Sequence, residues 1–228
     1  MSDTFLTLVR HGQTVWHAEN RYAGVSDVPL SDTGRAQIRA LADWARAHPH
    51  DAVVCSPISR ARATAGPVAE ALGLEPEVVP DLREVDFGAA EGRTLAELRE
   101  SDPAAVERFV ADPARNPFPG AEPPIAAAER VLAALRGVAE RHRGESVLVV
   151  GHNTGLRLAL CAWLGIPVAR YREVFPRLDN VAATRLRVRA DPGRAPALLA
   201  LNVPTTPVPT TPVPAPPVPI PAEAPAAS

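Results

Sequence analysis

Two histidines occur in matching surroundings. Arg10-His11-Gly12 and Gly151-His152-Asn153 each follow a short apolar run, Phe5 to Val9 in one case and Ser146 to Val150 in the other. An imidazole can attack phosphorus, and an adjacent guanidinium can grip two phosphate oxygens at once, so this pairing at a strand end suits phosphate-ester chemistry. An Arg-His-Gly tripeptide alone carries little weight; its significance comes from the second histidine delivered by a second strand. Between the two, Ser56-Pro57-Ile58-Ser59-Arg60-Ala61-Arg62-Ala63-Thr64 brings Arg60 to the start of a helical pattern, where free amides and the helix dipole favour an anion. Arg62, further along the same helix, reads as a salt-bridged surface residue.

The elements that must position these side chains follow from periodicity and punctuation. Phe5 to Val9 reads as a buried strand running into a loop, the place where open α/β sheets put ligands. Ser31-Asp32-Thr33-Gly34 can cap a helix carrying Ile38, Leu41, Ala42 and Ala45 at helical spacing. Ala52 to Cys55 supplies a second strand, and Ser59 to Leu72 a helix that stops at Gly73. A proline-interrupted stretch from Asp81 to Pro124, with helical patterns at Thr94 to Arg99 and Ala104 to Val110, reads as an excursion over the sheet. Its Phe109 and Phe118, with Trp16 and Tyr22, are expected to shape a leaving-group pocket. An amphipathic helix from Ile125 to Arg141 then leads into the continuous apolar run ending at Val150, the pattern of a doubly covered parallel strand. Gly155 to Leu164 is the next helix, and Val181 to Val188 with Ala197 to Asn202 form a late edge hairpin. The recurring order of strand, site residue and helix predicts a three-layer α/β/α sandwich with a mostly parallel central sheet.

Composition sets the remaining bounds. The 228 residues are 46% hydrophobic and 22% charged, which fits one catalytic domain plus a tail. Ten of the 26 prolines fall within residues 203–228, where Glu223 is the only charge. The expected division is therefore a catalytic domain over residues 1–202 and an extended or disordered proline-rich tail over 203–228. Net charge is −2, lysine is absent and the arginines form no run, which argues against a nucleic-acid partner. Cys55 and Cys161 have no metal-ligand spacing and read as small buried hydrophobes. Neither a signal-like N-terminus nor a membrane-length apolar run is present, so a cytoplasmic location and no membrane partner are expected. Oligomeric state is open, a homo-oligomer included.

Leu8-Val9-Arg10-His11-Gly12-Gln13-Thr14, Asp27-Val28-Pro29-Leu30-Ser31 to Gly34, Ser56 to Thr64, Leu82-Arg83-Glu84 with Phe87-Gly88, and Val150-Gly151-His152 together resemble the histidine phosphatase superfamily, also called phosphoglycerate-mutase-like. The match runs in order from about Leu6 to Leu186. The resemblance implies that His11 becomes phosphorylated, that Arg10, Arg60 and His152 form the phosphate pocket, and that Glu84 handles the proton, without metal or other cofactor. Cationic neighbours are expected to depress the His11 pKa and keep the ring nucleophilic, and partial burial to raise that of Glu84 for its two proton transfers. Two positions depart from the pattern. His17 stands where the family usually has asparagine, and Asn153 where glycine is common, which puts the phosphate contacts of both in doubt.

Three functions compete. In a phosphatase, water resolves the phosphoenzyme and the substrate is a small phosphate ester. In a mutase, the phosphoryl group returns to an isomeric substrate. A noncatalytic scaffold presenting the tail gives no reason for two histidines, two arginines and a glutamate at matched positions. A metal-dependent hydrolase lacks the ligand clusters it needs. Mutases need a longer covering segment and extra cations, whereas Glu84 and His152 are only 68 positions apart and no Arg-Arg pair occurs. The phosphatase is therefore expected, although Glu19-Asn20-Arg21-Tyr22 resembles the mutase N-terminal loop.

Overall fold

The centre of the molecule is built from two strands whose side chains are mostly apolar and buried. In the computed structural model, which describes residues 2–191 and 194–205, β1 (Thr4–Arg10) pairs in parallel with β4 (Ser146–Gly151), with Phe5 opposite Ser146 and Arg10 opposite Gly151. Val147, Leu148, Val149 and Val150 are all fully buried. Each such side chain contributes about 1.5–3 kcal/mol relative to exposure. The flanking strands β2 (Ala52–Cys55) and β3 (Pro76–Val78) extend the parallel sheet on one side, and β5 (Ala183–Val188) and β6 (Ala197–Val203) add an antiparallel hairpin on the other. The resulting order is β3-β2-β4-β1-β5-β6. The short β3, absent from the sequence reading, has no periodicity to reveal it; three residues cannot show one.

Side-chain alternation assigns the two faces. Leu6, Leu8, Val147 and Val149 pack with α5 (Pro124–Arg141) and α6 (Asn153–Leu164), while Val9, Leu148 and Val150 pack with α1 (Asp32–Ala47) and α2 (Ser59–Leu72). The expected three-layer α/β/α sandwich is the observed fold. Ser31 caps α1 by accepting from the Gly34 amide, and Gly34 itself presses on the loop after His11. A Cβ there would stand 2.0 Å from the Gln13 carbonyl oxygen, so only glycine fits.

The excursion carries α3 (Leu95–Ser101) and α4 (Pro103–Ala111) and closes over a small core of its own. Leu98, Val106, Phe109 and Phe118 form it, with Phe109 and Phe118 stacked at 4.4 Å and the edge of Tyr22 against both. The short α7 (Tyr171–Val174) lies beyond α6. Cys55 and Cys161 are buried free thiols, and burial pushes the Cys55 thiol up to about 11. Among the described residues, no helix is long and apolar enough to cross a membrane.

The C-terminal edge reaches further than the expected boundary at residue 202. β6 continues through Val203, which pairs with Ala183, and Thr205 is buried with its hydroxyl donating to the Val181 carbonyl at 2.6 Å. Val181 is a β-branched residue at φ 55°, a backbone state that needs support from its surroundings. The expected proline-rich tail from 206 onward lies outside the described residues. Loss of one buried hydrogen bond costs about 1 kcal/mol, so Thr205→Ala should lower Tm by roughly 2–4 °C. Truncation after Thr205 should leave Tm unchanged, whereas truncation after Asn202 should lower it further than Thr205→Ala does. Thermal melts followed by circular dichroism check all three, and an unchanged Tm after truncation at 202 would contradict the assigned role of Thr205.

Candidate active site

Three adjacent strand ends meet at one edge of the sheet. The ladder between β1 and β4 continues one step past the strand, with the His11 amide donating to the Gly151 carbonyl at 3.0 Å, and the Ser56 amide donates to the Val150 carbonyl at 3.0 Å. His11, His152 and Ser56 are therefore set side by side by backbone pairing. The rings of His11 and His152 lie 5.2 Å apart.

A hydrogen bond defines the His11 tautomer. His11 Nδ1 is 2.7 Å from the Gly12 carbonyl, which can only accept, so the proton sits on Nδ1 and the lone pair on Nε2. Ser56 Oγ accepts from the Ile58 amide at 3.2 Å and lies 2.7 Å from His152 Nε2. His152 Nδ1 is buried and has no hydrogen-bond partner among the described residues, and the same holds for Arg10 Nε. Both histidines are held well below the ordinary value. Burial is the larger cause in each; for His11 the next are His152, Arg10 and Arg60, in that order. The sequence reading put this depression on cationic neighbours, but desolvation outweighs them.

Arg60 is fully buried on the first turn of α2. Its Nε donates to His11 Nε2 at 3.2 Å, while Nη1 donates to Ser26 O and Nη2 to Ala23 O and Gly24 O. It therefore ties the loop at 23–26 to the nucleophile as well as supplying charge. Glu91, which the sequence reading passed over, fixes the same loop by accepting from the Gly24 amide and the Ser26 hydroxyl. Glu84 is buried and accepts three amides: Val85 and Gly155 donate to Oε1 at 3.0 and 2.7 Å, and Thr154 donates to Oε2 at 3.0 Å. Two of these donors belong to the first turn of α6. Oε2, with one donor only, keeps capacity for a further hydrogen bond.

The two departures from the family pattern take positioning roles. His17 Nε2 lies 2.6 Å from Arg10 Nη2 and 3.4 Å from Asn180 Nδ2, both donors, while Nδ1 faces Thr14, 3.1 Å from its amide N and 2.9 Å from its Oγ1. Burial and then the Arg10 charge push His17 down to about 4, so the ring is neutral. Asn153 Oδ1 accepts from the Leu178 amide, and the Leu178 carbonyl in turn accepts from Arg10 Nη1 at 2.8 Å. Both residues thus aim the Arg10 guanidinium. Asn180 adds a clamp that no sequence signal marked, donating to the His11 carbonyl at 2.7 Å.

A cavity of about 410 Å³ opens onto this edge, with Arg10, His11, His17, Glu84 and Asn153 on its wall. Arg60 and His152 contact His11 without lining it. Of the four aromatics expected to shape the pocket, only Tyr22 does so; Phe109 and Phe118 support it from within the excursion core, and Trp16 is absent from the wall. Arg62 is exposed on α2 and has no ion pair among the described residues, contrary to the reading as a salt-bridged residue. Among the described residues, no group of three or more His, Cys, Asp or Glu side chains is arranged to hold a metal ion.

The model of the histidine phosphatase superfamily (branch 1) matches residues 6–202. The chain belongs to the histidine phosphatase superfamily. It is 33% identical over 166 residues to phosphoserine phosphatase 1 of Hydrogenobacter thermophilus, covering 73% of this chain and 79% of that one. It is 32% identical over 179 residues to a Salmonella paratyphi C protein named probable phosphoglycerate mutase GpmB, covering 78% and 82% of the two chains. The solved structure of Bacillus stearothermophilus YhfR superposes with a TM-score of 0.80 at 29% identity, over 88% of this chain and 97% of that one.

Four histidines of this histidine phosphatase domain are held neutral by burial: His11, His152, His17 and His50, the last also pushed down to about 4. Unfolded, each takes up a proton near pH 6.5; folded, His17 and His50 resist protonation to about pH 4, and His11 and His152 are held well below the ordinary value. Their contribution to stability is therefore complete above pH 6.5 and is lost as pH falls toward 4, at up to about 1.4 kcal/mol per pH unit for each ring. Tm should be flat from pH 8 to 7 and fall from 6.5 to 5. His50→Gln, outside the site, should flatten that fall. A Tm that holds or rises on acidification to pH 5 would contradict the assignment.

Proposed function

We propose that this chain hydrolyses small phosphate monoesters through a phosphohistidine on His11 Nε2. The observation that carries the reading is the Nδ1–H tautomer of His11, set by the Gly12 carbonyl, in a site that also holds two buried nitrogens without partners among the described residues, Arg10 Nε and His152 Nδ1. Attack of the Nε2 lone pair on phosphorus forms the P–N bond while the P–O bond to the leaving group breaks. The leaving oxygen takes its proton from Glu84, and the positive charge gained by the ring is shared with the Gly12 carbonyl through Nδ1–H. A water then attacks phosphorus on the phosphoenzyme, its proton passes to Glu84, and the P–N bond breaks to return neutral His11 and free phosphate. Arg10 and the His152 Nδ1–H donate to the phosphoryl oxygens, where charge accumulates in the transition state. Arg60 Nε gives up its contact with Nε2 to one of those oxygens as the ring attacks.

A phosphoglycerate mutase is the second reading, favoured by the Glu19-Asn20-Arg21-Tyr22 loop and by the relative named as a mutase. Against it, the covering excursion amounts to two short helices before α5 begins at Pro124, a limited screen for shielding a phosphoenzyme from water. Buried free thiols suit the reducing cytoplasm, where small phosphorylated metabolites occur.

Rapid quenching with a labelled phosphate ester should trap an acid-labile, base-stable phosphoenzyme that disappears in His11→Ala. Label retained in that variant would overturn the nucleophile. Turnover should be unchanged by EDTA; a large loss restored by a divalent metal would contradict the mechanism. Incubation with 3-phosphoglycerate, with and without 2,3-bisphosphoglycerate, should release phosphate faster than 2-phosphoglycerate forms. Bisphosphoglycerate-dependent isomerisation faster than phosphate release from every sugar, nucleotide and amino-acid phosphate in a panel would establish the mutase instead.

A further inference from the structure

The cavity wall holds more positive charge than one phosphoryl group needs. Arg10, Arg21, Arg157, Arg172 and Arg177 line it, against the single carboxylate of Glu84, in a chain whose net charge is −2. Two of the five are neutralised locally: Arg21 bonds Glu19 and Glu97, and Arg177 pairs with Asp179 at 2.9 Å. Arg10 belongs to the phosphoryl site. Arg157 and Arg172 are left, and neither has a carboxylate within ion-pair distance among the described residues.

Their surroundings fix them toward the cavity. Arg157, on α6 five residues after His152, is buried, with Nε donating to the Phe175 carbonyl and its guanidinium 4.8 Å from the Tyr171 ring centroid. Its remaining N–H groups make no hydrogen bond with described residues. Arg172, on α7, stacks over Phe109 at 5.3 Å and lies beside the phenols of Tyr22 and Tyr171. Both phenols are partly desolvated, and burial pushes their pKa values up, so they stay neutral donors rather than counter-ions. Two neighbouring cations that repel each other without a carboxylate partner are stabilised by an anion delivered from outside.

We propose that Arg157 and Arg172, with the Tyr22 and Tyr171 phenols, form a second anion site that recognises a negatively charged oxygen group on the leaving part of the substrate. The inference rests on the hydrolase reading and narrows it: the preferred phosphate esters carry a further carboxylate or a second phosphate. Esters with uncharged leaving groups fill the same cavity without engaging this site, so selectivity comes from charge rather than size.

Substrate pairs matched in shape test it with the full chain. 3-Phosphoglycerate against glycerol 3-phosphate isolates a carboxylate, and fructose 1,6-bisphosphate against fructose 6-phosphate isolates a second phosphate. In at least one pair, kcat/KM at low salt should favour the more anionic member tenfold or more. Arg172→Met, an exposed position whose loss the fold should tolerate, should cut that ratio at least tenfold, mainly through KM. A wild-type preference below tenfold in both pairs, or an Arg172→Met protein that keeps the ratio, would overturn the second site. If no ester is turned over, the hydrolase reading fails by itself. Calorimetric Kd values for the same pairs then decide the second site by the same tenfold criterion.

Discussion

The parallel pairing of β1 with β4 is the constraint from which the site follows. Neither strand could be exposed on either face without losing the burial of Leu6, Leu8, Val149 or their neighbours, so both must lie mid-sheet with helices on both sides. Register then does the rest. A slip of one residue would reverse which side chains face α5 and α6, and it would also separate Arg10 from Gly151, and with them His11 from His152. Apolar packing that knows nothing of phosphate thus fixes the spacing of two histidines to within the tolerance of a ring contact.

Around that pair the loops are held by polar groups that anchor the backbone. Thr64 accepts from the Gly12 amide, Gln37 from the Gln13 amide, and Asn180 donates to the His11 carbonyl. Arg60 spends most of its donors on backbone carbonyls of residues 23–26. A cation used this way cannot swing freely, and a nucleophile clamped on both sides loses little entropy when it reacts. His17 fits the same logic: an imidazole in place of the usual amide accepts from Arg10 and so aims a cation instead of adding a donor.

Much of this was legible in the residues and some was not, for identifiable reasons. Long periodic segments such as Ser59 to Leu72 and the helix ending at Arg141 were read within a residue or two, because period and cap signals agree there. His11, His152, Arg10 and Arg60 were found because each follows a strand or opens a helix, and the structure gathers all four. The residues that escaped lack such punctuation. Asn180 and Glu91 act through hydrogen bonds to loops far away in sequence, Ser56 through the ring of His152, and Arg172 lies on a four-residue helix with no period to mark its face. The contact of Thr205 with Val181 lies just past residue 202, where the family match ends, and was not legible because Val203-Pro204-Thr205 has the composition of the repeat that follows.

Burial of four neutral histidines and two arginines works against stability, and the fold accepts it where the chemistry needs it. Desolvation keeps His11 unprotonated without any base, which removes a proton transfer that an exposed imidazole would need before attack near its own pKa. The same burial leaves His152 Nδ1 and Arg10 Nε as polar nitrogens without partners among the described residues, each a group that an apolar core would have excluded. A site made of prepaid desolvation and fixed donors gains most when negative charge enters it, since hydrogen bonds to a phosphoryl group then form in a medium of low dielectric. The catalytic advantage and the thermodynamic weakness are therefore one property of the same buried cations and rings.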